Sequence, residues 1–179
     1  MLDFSGQKPE IHPDTFIADG VRIVGRVVLQ AGVSVWYNSV LRADVGEIVV
    51  GRNTNIQDSC TVHVDFGLNT VLGENVTVGH GVILHACTVG DNCLIGMGST
   101  VLDGAVIPPN SILAAGSLVP PRKTYPEGSL ILGSPAKVAR MLSDEEIKHL
   151  VEHAEGYRDF WRAYLAHGIG IYQPELTIR

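Results

Sequence analysis

An aliphatic residue recurs at every sixth position through most of this chain, and very few folds accept that spacing. Starting at Ile11, steps of six reach Ile17, Ile23, Leu29, Val35 and Leu41. After a skip the series resumes at Val50, Ile56 and Val62, and after a second skip at Leu72, Val78 and Leu84. One step of five leads to Val89, then Ile95, Val101, Ile107, Leu113 and Val119. A period of six is neither the 3.6 of an amphipathic helix nor the 2 of a half-buried strand. It fits a triangular prism in which each hexad is a short strand plus a corner and the aliphatic side chain points inward. The expected fold is an all-β solenoid, a left-handed parallel β-helix of hexapeptide repeats, with three hexads to a coil and about six coils stacked at roughly 4.8 Å. Glycine follows several inward positions, as in Val50-Gly51, Leu72-Gly73, Val78-Gly79, Val89-Gly90 and Ile95-Gly96. There it supplies corner angles that a Cβ resists.

A competing register through Val71, Thr77 and Ile83 reaches Val89 without a skip. The first register is preferred because it keeps the aliphatic–glycine pairs and puts no threonine inward. The skips, at 42–49, around 63–71 and between 84 and 89, predict surface loops at the functional face. Past Val119 the pattern stops at Pro120-Pro121, and Pro126 and Pro135 keep the chain extended. Ser143-Asp144-Glu145-Glu146 then reads as a capping box that opens a helix. Ile147, Leu150, Val151, Ala154, Phe160, Trp161, Tyr164 and Leu165 fall largely on one side of it, so the helix is expected to pack along the prism. Residues 1–142 thus form the β-helix with a lead-in and a proline-rich exit. Residues 143–179 add the helix and tail to the same structural domain, and the tail from Gly168 to Arg179 shows no pattern.

A chain of 179 residues supports one domain with a real core. Glycine at 20 residues, with aromatics at only 6%, favours many tight corners over a sandwich packed around rings. A net charge of -6 opposes nucleic acid or an anionic membrane as partner. Met1 to Gly6 lack the basic and apolar regions of a secretory leader, and no stretch is apolar enough to span a bilayer, which predicts a cytoplasmic protein. Cys60, Cys87 and Cys93 form neither an even framework nor a CxxC and read as reduced, small packing residues.

The coil places the chemistry. Three hexads separate Leu41, Val62 and Leu84 once the skips are removed, so the residues that follow them, Arg42, His63 and His85, should stack outward in one column. Histidines one strand spacing apart can both reach a single ion at about 2.0–2.1 Å. His80, in Gly79-His80-Gly81, belongs to the preceding wall. Across a corner it should not converge with His63 and His85 of its own chain, but it can meet those of a neighbour when three prisms close around a threefold axis. Any one of these histidines alone would read as a polar residue on a prism face. Together they read as a three-histidine site with an open position, the arrangement of a catalytic zinc. His12, His149, His153 and His167 lack such company and read as surface or helix residues.

Leu41-Arg42-Ala43-Asp44, Asn55-Ile56-Gln57-Asp58, His63 and Gly79-His80-Gly81-Val82-Ile83-Leu84-His85 resemble the γ-class carbonic anhydrase family. Ile95-Gly96-Met97-Gly98 and Leu132-Gly133-Ser134-Pro135-Ala136-Lys137 resemble its bacterial branch, and the likeness covers roughly residues 10–165. The resemblance implies a homotrimer holding zinc, or ferrous iron or cobalt, at His63, His80 and His85, and reversible hydration of carbon dioxide to bicarbonate by metal-bound hydroxide. It implies that Gln57 and Asn55 orient hydroxide and substrate, and that Arg42, Asp44 and Asp58 make ionic contacts near the subunit boundary. For Arg42 and Asp44 a purely structural ion pair serves equally well. Tyr157 either lines the pocket or simply packs the helix. Val45 stands where the best-studied architecture of the family carries a glutamate, and the loop from Val64 to Thr70 has only Asp65, so the usual proton shuttle is missing. Other functions stay open on this scaffold: a CoA-dependent acyltransferase with one histidine base, a metal-dependent acyl-CoA thioesterase, or a scaffold that keeps a metal for trimer stability. Gly96-Met97-Gly98-Ser99-Thr100 lies within the hexad pattern and lacks a P-loop lysine, so it is no nucleotide loop.

Overall fold

Residues 8–169 are described by a computed structural model of the chain. The segment read for a leader and nearly all of the patternless tail lie outside the described residues. Short parallel strands stack into the three walls of a left-handed β-helix of about seven turns, closed by one C-terminal helix. On the first wall Leu29, Val50, Leu72, Val89 and Ile107 are successive partners. On the second the partners run Ile17, Val35, Ile56, Val78, Ile95, Leu113 and Ile131. On the third they run Ile23, Leu41, Val62, Leu84, Val101 and Val119.

This is the register of the aliphatic–glycine pairs. Leu72, Val78 and Leu84 are fully buried, whereas Val71 and Ile83 of the rejected register face outward at 36% and 43% exposure. Thr77 is buried from the outside of the prism. Each inward aliphatic side chain contributes about 1.5–3 kcal/mol by leaving water. Ile11, in the first coil, is 41% exposed, and among the described residues no strand pairs with it except that of Leu29.

One corner is built from asparagines. Asn53, Asn75, Asn92 and Asn110 all hold positive φ, which asparagine tolerates better than other residues with a Cβ. Their side chains donate in one direction, Asn53 to Asn75, Asn75 to Asn92, Asn92 to Asn110 and Asn110 to Glu127, at 2.8–3.3 Å.

The structure corrects three expectations. The skip at 42–49 is not a loop: Val40–Val50 is one continuous strand paired along Arg22–Leu29. The additional residues are absorbed where Gly25 pairs with Ala43 and Arg26 with Glu47, a bulge at Asp44, Val45 and Gly46. Gly25 is required there, with φ +81° and space for a Cβ filled by the Ala43 carbonyl at 2.1 Å. The repeat also does not stop at Pro120-Pro121. Tyr125 and Ile131 continue the spacing of six and are buried, and Ile131 pairs with Leu113 to add the extra turn. Tyr125 escaped notice because an aromatic replaces the aliphatic; its hydroxyl donates to the Ala136 carbonyl at 3.1 Å. Finally, the exit is a hairpin of Ser129–Gly133 against Ala136–Met141, not merely extended chain.

The capping box forms as its sequence specifies and starts α1 (Asp144–Ala166). Glu146 N–H donates to Ser143 Oγ at 3.2 Å, and Ser143 N–H donates to Glu146 Oε2 at 2.9 Å. Arg140 forks onto the same carboxylate at 2.7 and 2.8 Å. Hydrogen bonds from Arg140 and then from the Ser143 backbone pull the Glu146 pKa down to about 2 from 4.5. A depressed carboxyl stabilises the folded chain fully above its unfolded pKa, and the contribution is lost as pH falls through the folded value. The first turn of α1 is therefore expected to hold at pH 4 and fray only as pH approaches 2. Amide exchange of residues 144–147 against pH reads this directly, and Glu146→Gln should abolish the transition.

Leu150, Ala154 and Trp161 bury α1 against the second wall, over Ser34–Val35 and Thr77–Val78. Trp161 stacks on Phe16, with ring centroids 6.3 Å apart. Phe160 and Leu165, expected on the packed side, are 61% and 42% exposed. Among the described residues no helix is long and apolar enough to cross a membrane. The three cysteines are free and buried, and burial pushes Cys60 up to about 11 and Cys87 and Cys93 to about 12. They stay protonated and inert.

Candidate metal centre and its pocket

Parallel pairing on the third wall builds the expected column. Arg42 is the partner of His63, and His63 of His85, with imidazole centroids 5.2 Å apart. His63 Nδ1 lies 2.6 Å from the Arg42 carbonyl, which can only accept, so Nδ1 carries the proton. Its Nε2 is then a lone pair, and Arg42 Nη2 donates to it at 2.7 Å. The other arm of Arg42 pairs with Asp44 Oδ2. Asp44 Oδ1 is buried without a hydrogen-bond partner.

His85 is held in the same sense by Asp103, whose Oδ1 accepts from Nδ1. Sequence reading missed Asp103. The column position after His85 is Leu102, since Val101 is the partner of Leu84, and Asp103 lies one residue beyond that column.

His80 stands on the corner after Thr77–Val78, where Gly81 takes φ +68°. A Cβ on Gly79 would lie 2.8 Å from the Met97 amide of the next coil, so the corner needs glycine on that side too. Asp58 Oδ2 lies 2.7 Å from His80 Nδ1 as an ion-pair contact, while its Oδ1 accepts from the Tyr37 N–H at 3.2 Å. Asp58 is thus placed to orient His80. All three imidazoles have an oxygen acceptor beside Nδ1; the Nε2 lone pair of His63 takes the Arg42 hydrogen bond, and Nε2 of His80 and of His85 has no hydrogen-bond partner among the described residues. Proteins build this arrangement behind metal-ligating histidines, fixing the tautomer and raising ligand basicity.

Among the described residues no three His, Cys, Asp or Glu side chains of one chain converge on a point. The candidate residues instead fall into two groups. Arg42, Asp44, His63, His85 and Asp103 share the third wall. Gln57, Asp58, His80 and Tyr157 line a cavity of ≈ 230 Å³ between the second wall and α1, together with Trp36, Tyr37, Phe160 and Tyr164. Asn55 sits behind that cavity, fully buried. It accepts from Gln57 Nε2 at 3.4 Å and donates to Thr77 Oγ1 at 2.9 Å, and Thr77 in turn bonds His153 Nδ1 at 3.1 Å. Tyr157 does both things expected of it, lining the cavity and packing edge-on against Trp36 at 5.8 Å. Burial, and then the nearby Asp58 charge, raise its pKa, so the phenol stays protonated. Of the aromatic lining only Tyr157 was singled out on the sequence; Phe160 and Tyr164 read as helix packing, and Trp36 and Tyr37 carried no signal.

Fold and repeat define the class: a parallel β-helix of hexapeptide repeats. The family model described as "Bacterial transferase hexapeptide (six repeats)" matches residues 69–103 and 86–121. A probable carbonic anhydrase of Methanocaldococcus jannaschii is 53% identical over 141 residues, covering 79% of this chain and 89% of that protein. The mitochondrial gamma carbonic anhydrase 2 of Arabidopsis thaliana is 42% identical over 163 residues, 88% of this chain and 59% of that protein. The crystal structure of a hexapeptide transferase family protein from Anaplasma phagocytophilum superposes with a TM-score of 0.85 at 47% identity, covering 89% of this chain and 95% of that one. The chain belongs to the γ-class carbonic anhydrase family of hexapeptide-repeat proteins.

Proposed function

We propose that the protein hydrates carbon dioxide reversibly to bicarbonate at sites shared between the subunits of a homotrimer. His63 and His85 of one subunit and His80 of the partner subunit would hold a divalent metal, zinc or else ferrous iron or cobalt. The observation that carries this reading is that the three imidazoles, each with an oxygen acceptor beside Nδ1, stand on neighbouring walls and do not converge within one chain. A heterologous contact closed by threefold symmetry brings two such walls together. When bound, such a metal supplies a water whose pKa falls from 15.7 to about 7.

The chain's own residues do the rest. Gln57 donates one Nε2 hydrogen to Asn55, which orients the amide and leaves Oε1 and the second N–H for groups in the cavity. Asn55 is fixed by Thr77, so the amide pair is preorganised. Arg42, steadied by Asp44, brings a positive charge to the site where bicarbonate forms. Hydration also releases a proton. Val45 cannot carry it, and the Asp65 carboxylate already accepts from the Phe66 N–H at 2.8 Å, so the proton leaves to the buffer.

Stopped-flow hydration by trimer reconstituted anaerobically with each metal tests the reading. Metal-dependent turnover that rises with buffer concentration is expected; full metal occupancy with no hydration would overturn it. Asp103→Asn is expected to lower metal affinity about 10–100-fold, the usual cost of losing an outer-sphere partner. Competition with a chromophoric chelator measures it, and unchanged affinity would show that Asp103 does not set the His85 tautomer.

A further inference from the structure

The cavity beside His80 is larger and more aromatic than the hydration of a three-atom gas requires. The single chain leaves ≈ 230 Å³ there. Carbon dioxide, with three heavy atoms, would leave more than half of it unfilled. One end is polar, formed by Gln57, Asp58 and His80, and the other is walled by Trp36, Tyr157, Phe160 and Tyr164. Trp36 packs edge to face against Tyr157 and Tyr164, which makes that side of the lining one continuous aromatic surface. The wall is firm: Trp36 is 7% exposed, and its Nε1 donates to Ser34 Oγ at 3.1 Å. It is also uncharged, since the Tyr157 phenol is held protonated. Bicarbonate gains nothing from such a surface, whereas an apolar substituent gains by leaving water.

We propose that this cavity is an acyl subsite. It holds the apolar group of a small carboxylic acid derivative, an acyl ester or thioester or its carboxylate product, with the carbonyl carbon at the His80 end. The proposal rests on the proposed function only in placing the reacting carbon beside His80. An aromatic box also suits an organic cation. Here the one carboxylate in the lining, Asp58, already accepts from the Tyr37 N–H and lies against His80 Nδ1, and that favours a neutral group. Hydrolysis consumes one water. Its oxygen bonds to the acyl carbon, the carbon–sulfur or carbon–oxygen bond breaks, and the thiol or alcohol leaves with one proton while the acid ionises to carboxylate and a second proton.

The test is a titration of the assembled, metal-loaded protein with acetate, butyrate, hexanoate and benzoate, followed by tryptophan fluorescence, which Trp36 reports from within the wall. Affinity is expected to rise about fourfold per added methylene until the cavity is full. Phe160→Ala, at a position exposed enough to spare the fold, is expected to flatten that dependence. A series with no dependence on size, or preferential binding of tetramethylammonium, overturns the subsite. Carbon dioxide hydration measured on the same sample separates the two readings. Hydration with a flat series sinks the subsite alone, and a size-dependent series without hydration sinks only the proposed function.

Discussion

Replacing His80 with alanine is expected to strip the assembled protein of its metal and of all metal-dependent turnover. His80 supplies one of three proposed ligands, and its removal should cost more than the about 10–100-fold in affinity that losing an outer partner costs. Its Nδ1 is bound to Asp58, its corner is fixed by Gly79 and Gly81, and no other histidine lines the cavity, so nothing nearby replaces it. The fold should survive, because His80 lies on the outside of the prism. Metal analysis of the purified variant together with its far-ultraviolet circular dichroism separates loss of ligand from loss of structure. Retention of full metal by a folded His80→Ala protein would remove His80 from the site.

Leu84→Ala is expected to cost about 2–5 kcal/mol of stability, the range for truncating a fully buried leucine in a core that relaxes incompletely. Leu84 is 0% exposed and stacked between Val62 and Val101, and it precedes His85 directly, so the damage should reach the site as weaker metal binding. Val71→Ala, at an outward position of the rejected register, should change stability by only about 0.5 kcal/mol or less. Denaturant unfolding of the metal-free chains gives both values. Equal losses in the two variants would contradict the register on which the column of ligands depends.

How much the sequence disclosed differs between scaffold and site. A strict period leaves few alternatives, so the walls, their register and the stacking of Arg42, His63 and His85 were all legible from spacing alone. So was the capping box at Ser143, because its two hydrogen bonds are local. What escaped was non-local or disguised. Tyr125 hid the last turn by filling an aliphatic position with a ring. The bulge at Asp44 to Gly46 read as a loop because extra residues on one strand look the same as an excursion. Asp103 was missed because the column position beside His85 is Leu102, and Asp103 stands one residue beyond it. The cavity was missed because it needs α1 laid over the second wall, and no periodicity within either element reports that placement.

The claim that most deserves a direct measurement is that each site draws His80 from one chain and His63 and His85 from the next. His80→Ala and His63→Ala chains should each bind no metal when assembled alone. Unfolded together in equal amounts and refolded, they form mixed trimers in which the contact from a His63→Ala chain to a His80→Ala chain keeps all three ligands. With random mixing about a quarter of all sites should regain metal, one per mixed trimer. Recovery near that fraction, with mixed trimers verified by native mass spectrometry, is the predicted result. Mixed trimers that bind no metal at all would contradict a shared site.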